Sequence, residues 1–258
     1  MKQFISFSGG VESRAMALMF GNKANGIFAD TGWEHPELYA ALDKVEAKVR
    51  EFHGNDFRII RVQQKDAEGT GETTLQGYIA ARRYYPSPWA RFCTRLFKIE
   101  PIDDYLRQFE ADGAEIMIWL NADEGDQRTG NHGLIPFVKY SYPLYEAGVT
   151  RAMCIAMLKA AGIEPNFPPY MRRGGCVGCP YKSKAEYQAM AVLDPERYDE
   201  VADLEASIQD RRDKFFHVVS GIPNLRDFKR HAQSQLFNPD EVYATINDAT
   251  KCGVFCNR

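Results

Sequence analysis

An apolar run near the start of the chain stops at Ser8-Gly9-Gly10, and a helical pattern begins at once at Val11. Lys2 to Phe7 reads as a short buried strand and Val11 to Phe20 as a helix. A strand that feeds directly into a helix cannot be one arm of a tight hairpin, so it must find a parallel partner beyond a crossover. The pattern then repeats. Asn25 to Ala29 reads as a second strand ending at Asp30-Thr31-Gly32, followed by helical periodicity from His35 to Phe52 with Pro36 in the first turn. Phe57 to Val62 alternates as a third strand, and Glu115 to Leu120 is the clearest later one. Helices are expected over Lys98–Phe109 and Thr150–Ala160, the second closed by Gly162 and Pro165. Strands alternating with helices predict an α/β fold, a parallel sheet with helices on both faces.

The first turn carries chemistry as well as topology. Glycines let the backbone approach an anion without a Cβ in the way, and the amides at a helix start point outward. Ser8 and Ser13 add hydroxyls, and the helix dipole favours negative charge. The turn lacks the lysine of a kinase-type P-loop. Ser-Gly-Gly by itself is also a common plain turn. Its place after the first strand and before the first helix, at a sheet's carboxyl edge, is what marks it as an anion seat.

The chain has 258 residues and a net charge of −3. That balance argues against a generally basic nucleic-acid binder and leaves room for a local basic patch. No stretch approaches the ~18–20 continuous apolar residues of a membrane span, and Met1 to Ser8 does not read as a signal peptide. These features predict a cytoplasmic protein without membrane association. Its six cysteines should then be reduced, and metal binding or catalysis outranks disulfides. Residues 1–165 read as a nucleotide-binding core. Residues 166–258 read as a helical, cysteine-bearing C-terminal extension packed on it, polar and helical from Lys184 to Phe216.

Cys176-Val177-Gly178-Cys179-Pro180 is the sharpest chemical signal outside the loop. Two cysteines separated by two residues chelate one metal or corner one cluster, and the glycine between them permits a tight turn. Cys252 and Cys256 form a second pair, Cys93 lies beside a basic stretch, and Cys154 sits on an apolar helix as a core residue. Cys176, Cys179, Cys252 and Cys256 suit a structural zinc; cysteines of these segments equally suit an iron–sulfur cluster or a thiol redox pair. Arg91, Arg95 and Lys98 lie in one short stretch, with Arg95 and Lys98 on one face if they open a helix. Arg128 follows the Glu115–Leu120 strand across an acidic turn, Asp123, Glu124 and Asp126, which is read as a surface turn rather than a Mg²⁺ site. Arg82-Arg83-Tyr84-Tyr85 and Arg211-Arg212 read as solvated faces.

Five segments in order resemble one family. Ser8-Gly9-Gly10-Val11-Glu12-Ser13 is similar to the PP-loop of the adenine-nucleotide α-hydrolase-like (Rossmann-like) superfamily, which includes ATP pyrophosphatases and phosphoadenosine phosphosulfate (PAPS) reductases. Asp30-Thr31-Gly32 with Pro36-Glu37, Arg91-Phe92-Cys93-Thr94 with Lys98 and Pro101, Asn121-Ala122-Asp123-Glu124 with Arg128, and Tyr142-Pro143-Leu144 follow the family's later segments. The chain is identified as a member of the PAPS reductase family. The resemblance implies that Ser8 to Ser13, Asp30, Thr31, Arg91 and Arg128 bind ATP with Mg²⁺, or PAPS or adenosine phosphosulfate. It gives Arg95 and Lys98 a catalytic, charge-matching role. It also implies a [4Fe–4S] cluster, with zinc as the alternative, on Cys93, Cys176 and Cys179. The fourth ligand would be Cys256, Cys252 or an exogenous sulfur. Many ATP-using members have Lys and Asp where this chain has Val11 and Glu12. The leading expectation is an adenylating, ATP-pyrophosphatase-type sulfur transferase, with a sulfur donor and a nucleic-acid base or backbone as substrate. The alternative is a sulfonucleotide reductase in which Cys252 or Cys256 attacks sulfur and thioredoxin releases sulfite. A non-catalytic nucleotide-binding regulator is the third.

Overall fold

The computed structural model describes the chain except residues 55, 88, 125–134, 172, 210–216, 219–223 and 235–258, and the side chains of 231–234. In chain order the elements are β1 (Lys2–Ser6), α1 (Val11–Phe20), β2 (Asn25–Asp30), α2 (Pro36–His53), β3 (Ile59–Gln63), α3 (Leu75–Arg82), α4 (Phe92–Thr94) and α5 (Glu100–Leu106). There follow β4 (Ala114–Met117), β5 (Val138–Ser141), α6 (Pro143–Glu146), α7 (Arg151–Ala161), α8 (Lys184–Leu193), α9 (Pro195–Gln209) and α10 (Leu225–Ser234). A π-helical turn, Arg95–Ile99, stands between α4 and α5. No helix among the described residues is long and apolar enough to cross a membrane.

The chain forms two compact units. The first gathers Met1–Asp30, Pro36–Gln63 and Lys98–Asn166; the second gathers Thr31–His35, Gln64–Phe97 and the chain from Phe167.

The first unit is a five-stranded sheet in the order β3-β2-β1-β4-β5. Every pairing is parallel, with Phe4 opposite Asn25 on one side of β1 and opposite Ile116 on the other. Alternation along the strands splits the core in two. Ile5, Phe7, Phe28 and Met117 face a cluster with Ala15, Leu18, Leu42, Val49 and Leu158 from α1, α2 and α7. Phe4, Ile27, Ile116 and Val138 face the other side, against Leu106 and its neighbours in α5. Helices therefore cover both faces, as a parallel sheet requires. Cys154 lies in the first of these clusters, and burial pushes its thiol up to about 11.

The second unit is helical around a separate aromatic core containing Trp33, Tyr78, Tyr85, Tyr170, Tyr187 and Tyr198. Its helices are capped locally. Thr74 accepts the Gly77 amide at the start of α3, and Ser183 with Glu186 forms a reciprocal capping box at α8, each such cap contributing about 1 kcal/mol. Buried Glu205 on α9 accepts the amides of Val218 and Leu225 at 2.8 and 2.6 Å.

Candidate functional site

In the sheet unit, β1 is central, and the strand order reverses direction between β1 and β4. Ligands in open α/β sheets collect outside the carboxyl ends at such a point. Ser8-Gly9-Gly10 leaves β1 there, and Asn121 to Glu124 follows β4 on the same edge. Gly10 caps α1 in an extended conformation with no side-chain cap. The first helical bond runs from the Arg14 amide to the Gly10 carbonyl at 3.1 Å, so the amides of Val11, Glu12 and Ser13 are not used inside the helix. Ser13 Oγ donates to the Gly10 carbonyl at 3.2 Å and lies 3.3 Å from Ser8 Oγ. Gly9 has a left-handed φ of +73°, and a Cβ there would stand 2.1 Å from Leu38 Cδ1. Gly9→Ala is expected to lower stability by about 1–2 kcal/mol, from left-handed strain plus displacement of the Leu38 methyl. It should also weaken adenine-nucleotide binding at least tenfold; calorimetric titration of folded variant checks this.

Three residues next to the turn fix its shape. Val11 is buried among the apolar residues of α1 and α2 and serves the core. Glu12 is buried too, and its carboxylate accepts from Arg151 Nη1 at the start of α7 and from Asn121 Nδ2. Its charge is thereby matched and turned from the helix start. Arg14, almost wholly buried, donates to the carbonyls of Gly9 (2.8 Å), Ile163 and Glu164 (both 3.1 Å), and burial lowers its guanidinium to about 10. Arg14 and Arg151 escaped the sequence reading. The available signal was a lone cation immediately before the apolar run Ala15 to Phe20, and another directly after the Thr150 cap.

Asp30 closes β2 and accepts from Tyr39 at 2.6 Å within the sheet unit. Thr31 begins the second unit and is fully buried, with its hydroxyl 3.1 Å from Glu34 Oε1 and 3.4 Å from Cys176 Sγ. Cys176 in turn donates to Glu34 Oε1 at 3.3 Å, and the Val177 amide bonds the Trp33 carbonyl at 2.8 Å. The Cys179 amide returns to the Cys176 carbonyl at 3.2 Å, which makes Cys176–Cys179 a closed turn. Lys182 is buried beneath it, donating to the Cys176 and Val177 carbonyls. Burial lowers the Lys182 ammonium, opposed by the charges of Cys179, Cys176, Glu186 and Glu34. Gly178 is not left-handed, contrary to the turn role expected for it. Its missing Cβ instead makes room for Trp33 and Tyr85.

Cys93 is half-buried against the second unit's core. Among the described residues no three His, Cys, Asp or Glu side chains converge to hold a metal ion. The described thiols therefore do not by themselves fit a cluster or a zinc. Cys252, Cys256, Asp126 and Arg128 lie outside the described residues. Arg91 donates to Thr94 Oγ1 at 3.4 Å and stacks 5.4 Å above the Tyr181 ring. Arg95 pairs with Glu68 at 2.7 Å. The helix expected from Lys98 begins as the π turn Arg95–Ile99, and Pro101 has no amide for the Phe97 carbonyl. Arg95 belongs to the second unit and Lys98 to the first. The α-helical spacing expected to put them on one face is absent.

Residues 2–118 match the model of the phosphoadenosine phosphosulfate reductase domain. The matched stretch contains the Ser8–Ser13 turn, Asp30, Thr31, Arg91, Cys93, Arg95 and Lys98, and ends just after β4. A crystal structure of PAPS reductase from Candida auris, a phosphate complex, is similar at 14% identity and a TM-score of 0.44. The match covers 64% of this chain and 75% of that one. No curated protein matches the chain.

Proposed function

We propose that the chain is an enzyme that binds an adenine sulfonucleotide and reduces its sulfonyl group. The observation that carries this reading is the helix start at the carboxyl end of β1. Three unspent amides and two serine hydroxyls form an anion seat there, while Val11 is committed to the core. Such a seat suits a phosphate or sulfate and supplies no lysine for a triphosphate. In the reaction a cysteine thiolate, Cys252 or Cys256, attacks the sulfonyl sulfur. The S–O bond to the nucleotide phosphate breaks, the phosphate leaves with the electron pair, and a cysteine S-sulfonate remains. A dithiol protein such as thioredoxin then attacks the cysteine sulfur, releasing sulfite and forming a mixed disulfide that its second thiol resolves.

The family's ATP-using branch supplies a second reading, an adenylating sulfur transferase with Mg²⁺ and a [4Fe–4S] cluster or zinc. Cys252 or Cys256 would have to complete the metal set begun by Cys93, Cys176 and Cys179. The two readings separate in one experiment. The anaerobically purified chain is incubated with PAPS or adenosine phosphosulfate plus reduced thioredoxin, and in parallel with ATP and Mg²⁺. Sulfite release that is lost in Cys252→Ser or Cys256→Ser supports the reductase. Pyrophosphate release without sulfite, with iron and acid-labile sulfide in the protein, overturns it in favour of the transferase.

A further inference from the structure

The second unit carries Arg82, Arg83, Tyr84 and Trp89, none of which the reaction above or the expected nucleotide site uses. From Thr73 to Phe97 the chain has four arginines, Arg82, Arg83, Arg91 and Arg95, and no acidic residue, although acidic residues outnumber basic ones in the whole protein, 35 to 32. The same stretch presents aromatic rings to solvent. Trp89 lies between Ser87 and Ala90, which are bonded to each other in both directions at 3.2 and 3.1 Å. It is held at the end of this narrow loop with 97% of its surface exposed. Tyr84, 40% exposed, lies nearly parallel on Phe92 with ring centres 5.4 Å apart, and Phe92 leans in turn on Tyr78. The Tyr84 ring is therefore backed by a second ring and anchored to the core. Arg83, between α3 and Tyr84, adopts a left-handed φ of +52°. Glycine would fill that C-cap without strain, so a long cation stands where the backbone disfavours it.

Glu68 is one acidic neighbour of this stretch, besides Glu72 against Gly77 and Glu200, which accepts from Gln76. The Glu68 carboxylate takes both Arg82 (3.0 Å) and Arg95 (2.7 Å), and it is held well below the usual carboxylate range by hydrogen bonds from Tyr78, Arg95 and Arg82. One carboxylate thus meets two guanidinium groups, and Arg83 adds a third cation beside them. Exposed, backed aromatic rings interleaved with cations match a partner that offers flat rings and a charged backbone together.

We propose that Arg82, Arg83, Tyr84 and Trp89 bind single-stranded nucleic acid, with Trp89 and Tyr84 stacking on bases and the two arginines meeting phosphates. Anisotropy of a labelled oligothymidylate of about 12 nucleotides, titrated with the full chain and no adenine nucleotide, tests this separately from sulfite release. Expected is binding that weakens steeply with salt, is tighter for the single strand than for a duplex of equal length, and quenches tryptophan emission. Trp89→Ala should weaken binding about fivefold or more, the loss of one stacked base, with an unchanged thermal midpoint because the side chain packs on nothing buried. Arg83→Ala should reduce the log–log salt slope by roughly 0.7. The proposal is overturned if the oligonucleotide does not bind at low salt, or if Trp89→Ala binds like wild type. It is equally overturned if duplex binds as well as single strand, or if phosphatidylserine vesicles bind while the oligonucleotide does not.

Discussion

Gly178→Ala should destabilise the second unit by about 3 kcal/mol or more, and a urea-unfolding series followed by tryptophan emission will measure it. A Cβ at this position would lie 2.1 and 2.7 Å from Trp33 Cη2 and Cζ3 and 2.2 Å from Tyr85 Oη. Neither ring can give way. Both are buried, and they pack edge-on with centres 6.4 Å apart. Trp33 Nε1 is tied to Glu200 at 2.7 Å, and the Tyr85 hydroxyl donates to the Gly178 carbonyl itself. The extra methyl would break these bonds or push the Cys176–Cys179 turn outward, and moving that turn also uncovers Lys182 beneath it. Val177→Ala, a cavity change in the same turn, should cost less, about 1–2 kcal/mol. A Gly178→Ala protein as stable as wild type would show that the aromatic pair does not set the turn.

The second large effect is acid lability through His35. This residue is 2% exposed, its Nδ1 lies 3.4 Å from the Tyr170 hydroxyl, and its Nε2 is buried without a partner. Burial, then the cations Lys182 and Arg197, push the imidazole down to about 3, while Asp194 opposes them. Unfolded, it takes up a proton near pH 6.5. Between those values the unfolded chain binds the extra proton, so folding stability is complete above about pH 6.5 and is lost as pH falls towards 3. The slope is about 1.4 kcal/mol per pH unit, up to roughly 4–5 kcal/mol over the window. Urea midpoints at neutral pH and at two acidic values should drop steeply in wild type, and His35→Gln should flatten that part of the curve. Equal slopes in the two proteins would remove His35 as the cause.

Local signals carried the fold well and the site only in part. The apolar run to Phe7, the Ser8-Gly9-Gly10 break and the helical period after Val11 specify β1, the turn and α1, because each is settled within a few residues. The alternation from Phe57 to Val62 likewise marked the third strand, Ile59–Gln63. The π turn at Arg95–Ile99 was not legible, because a spacing of three fits an α-helix equally well and the widening shows only in hydrogen bonding. Contacts between distant residues were hidden for the same reason. Glu34 meets Cys176 across 142 positions, and Glu12 meets Arg151 across 139. Gly178 misled more subtly. The spacing suggested a backbone demand, whereas the demand comes from two rings 145 and 93 positions earlier in the chain.

The central place of β1 also orders events in time. Synthesis delivers this strand before either neighbour, and one of the two, β4, begins only at Ala114. The groups that shape its terminal turn arrive later still: Arg151 for Glu12, and the carbonyls of Ile163 and Glu164 for Arg14. At ribosomal speeds of about 5–20 residues per second, the opening segment waits roughly 10–30 s for the partners that complete it. During that interval Ile5 and Phe7 have α1 and α2 for cover, while Phe4 waits for Tyr105, Leu106 and Phe109. The turn proposed to seat an anion is thus among the last features of the sheet unit to mature, and a nascent chain acquires its finished shape only after most of that unit has been made.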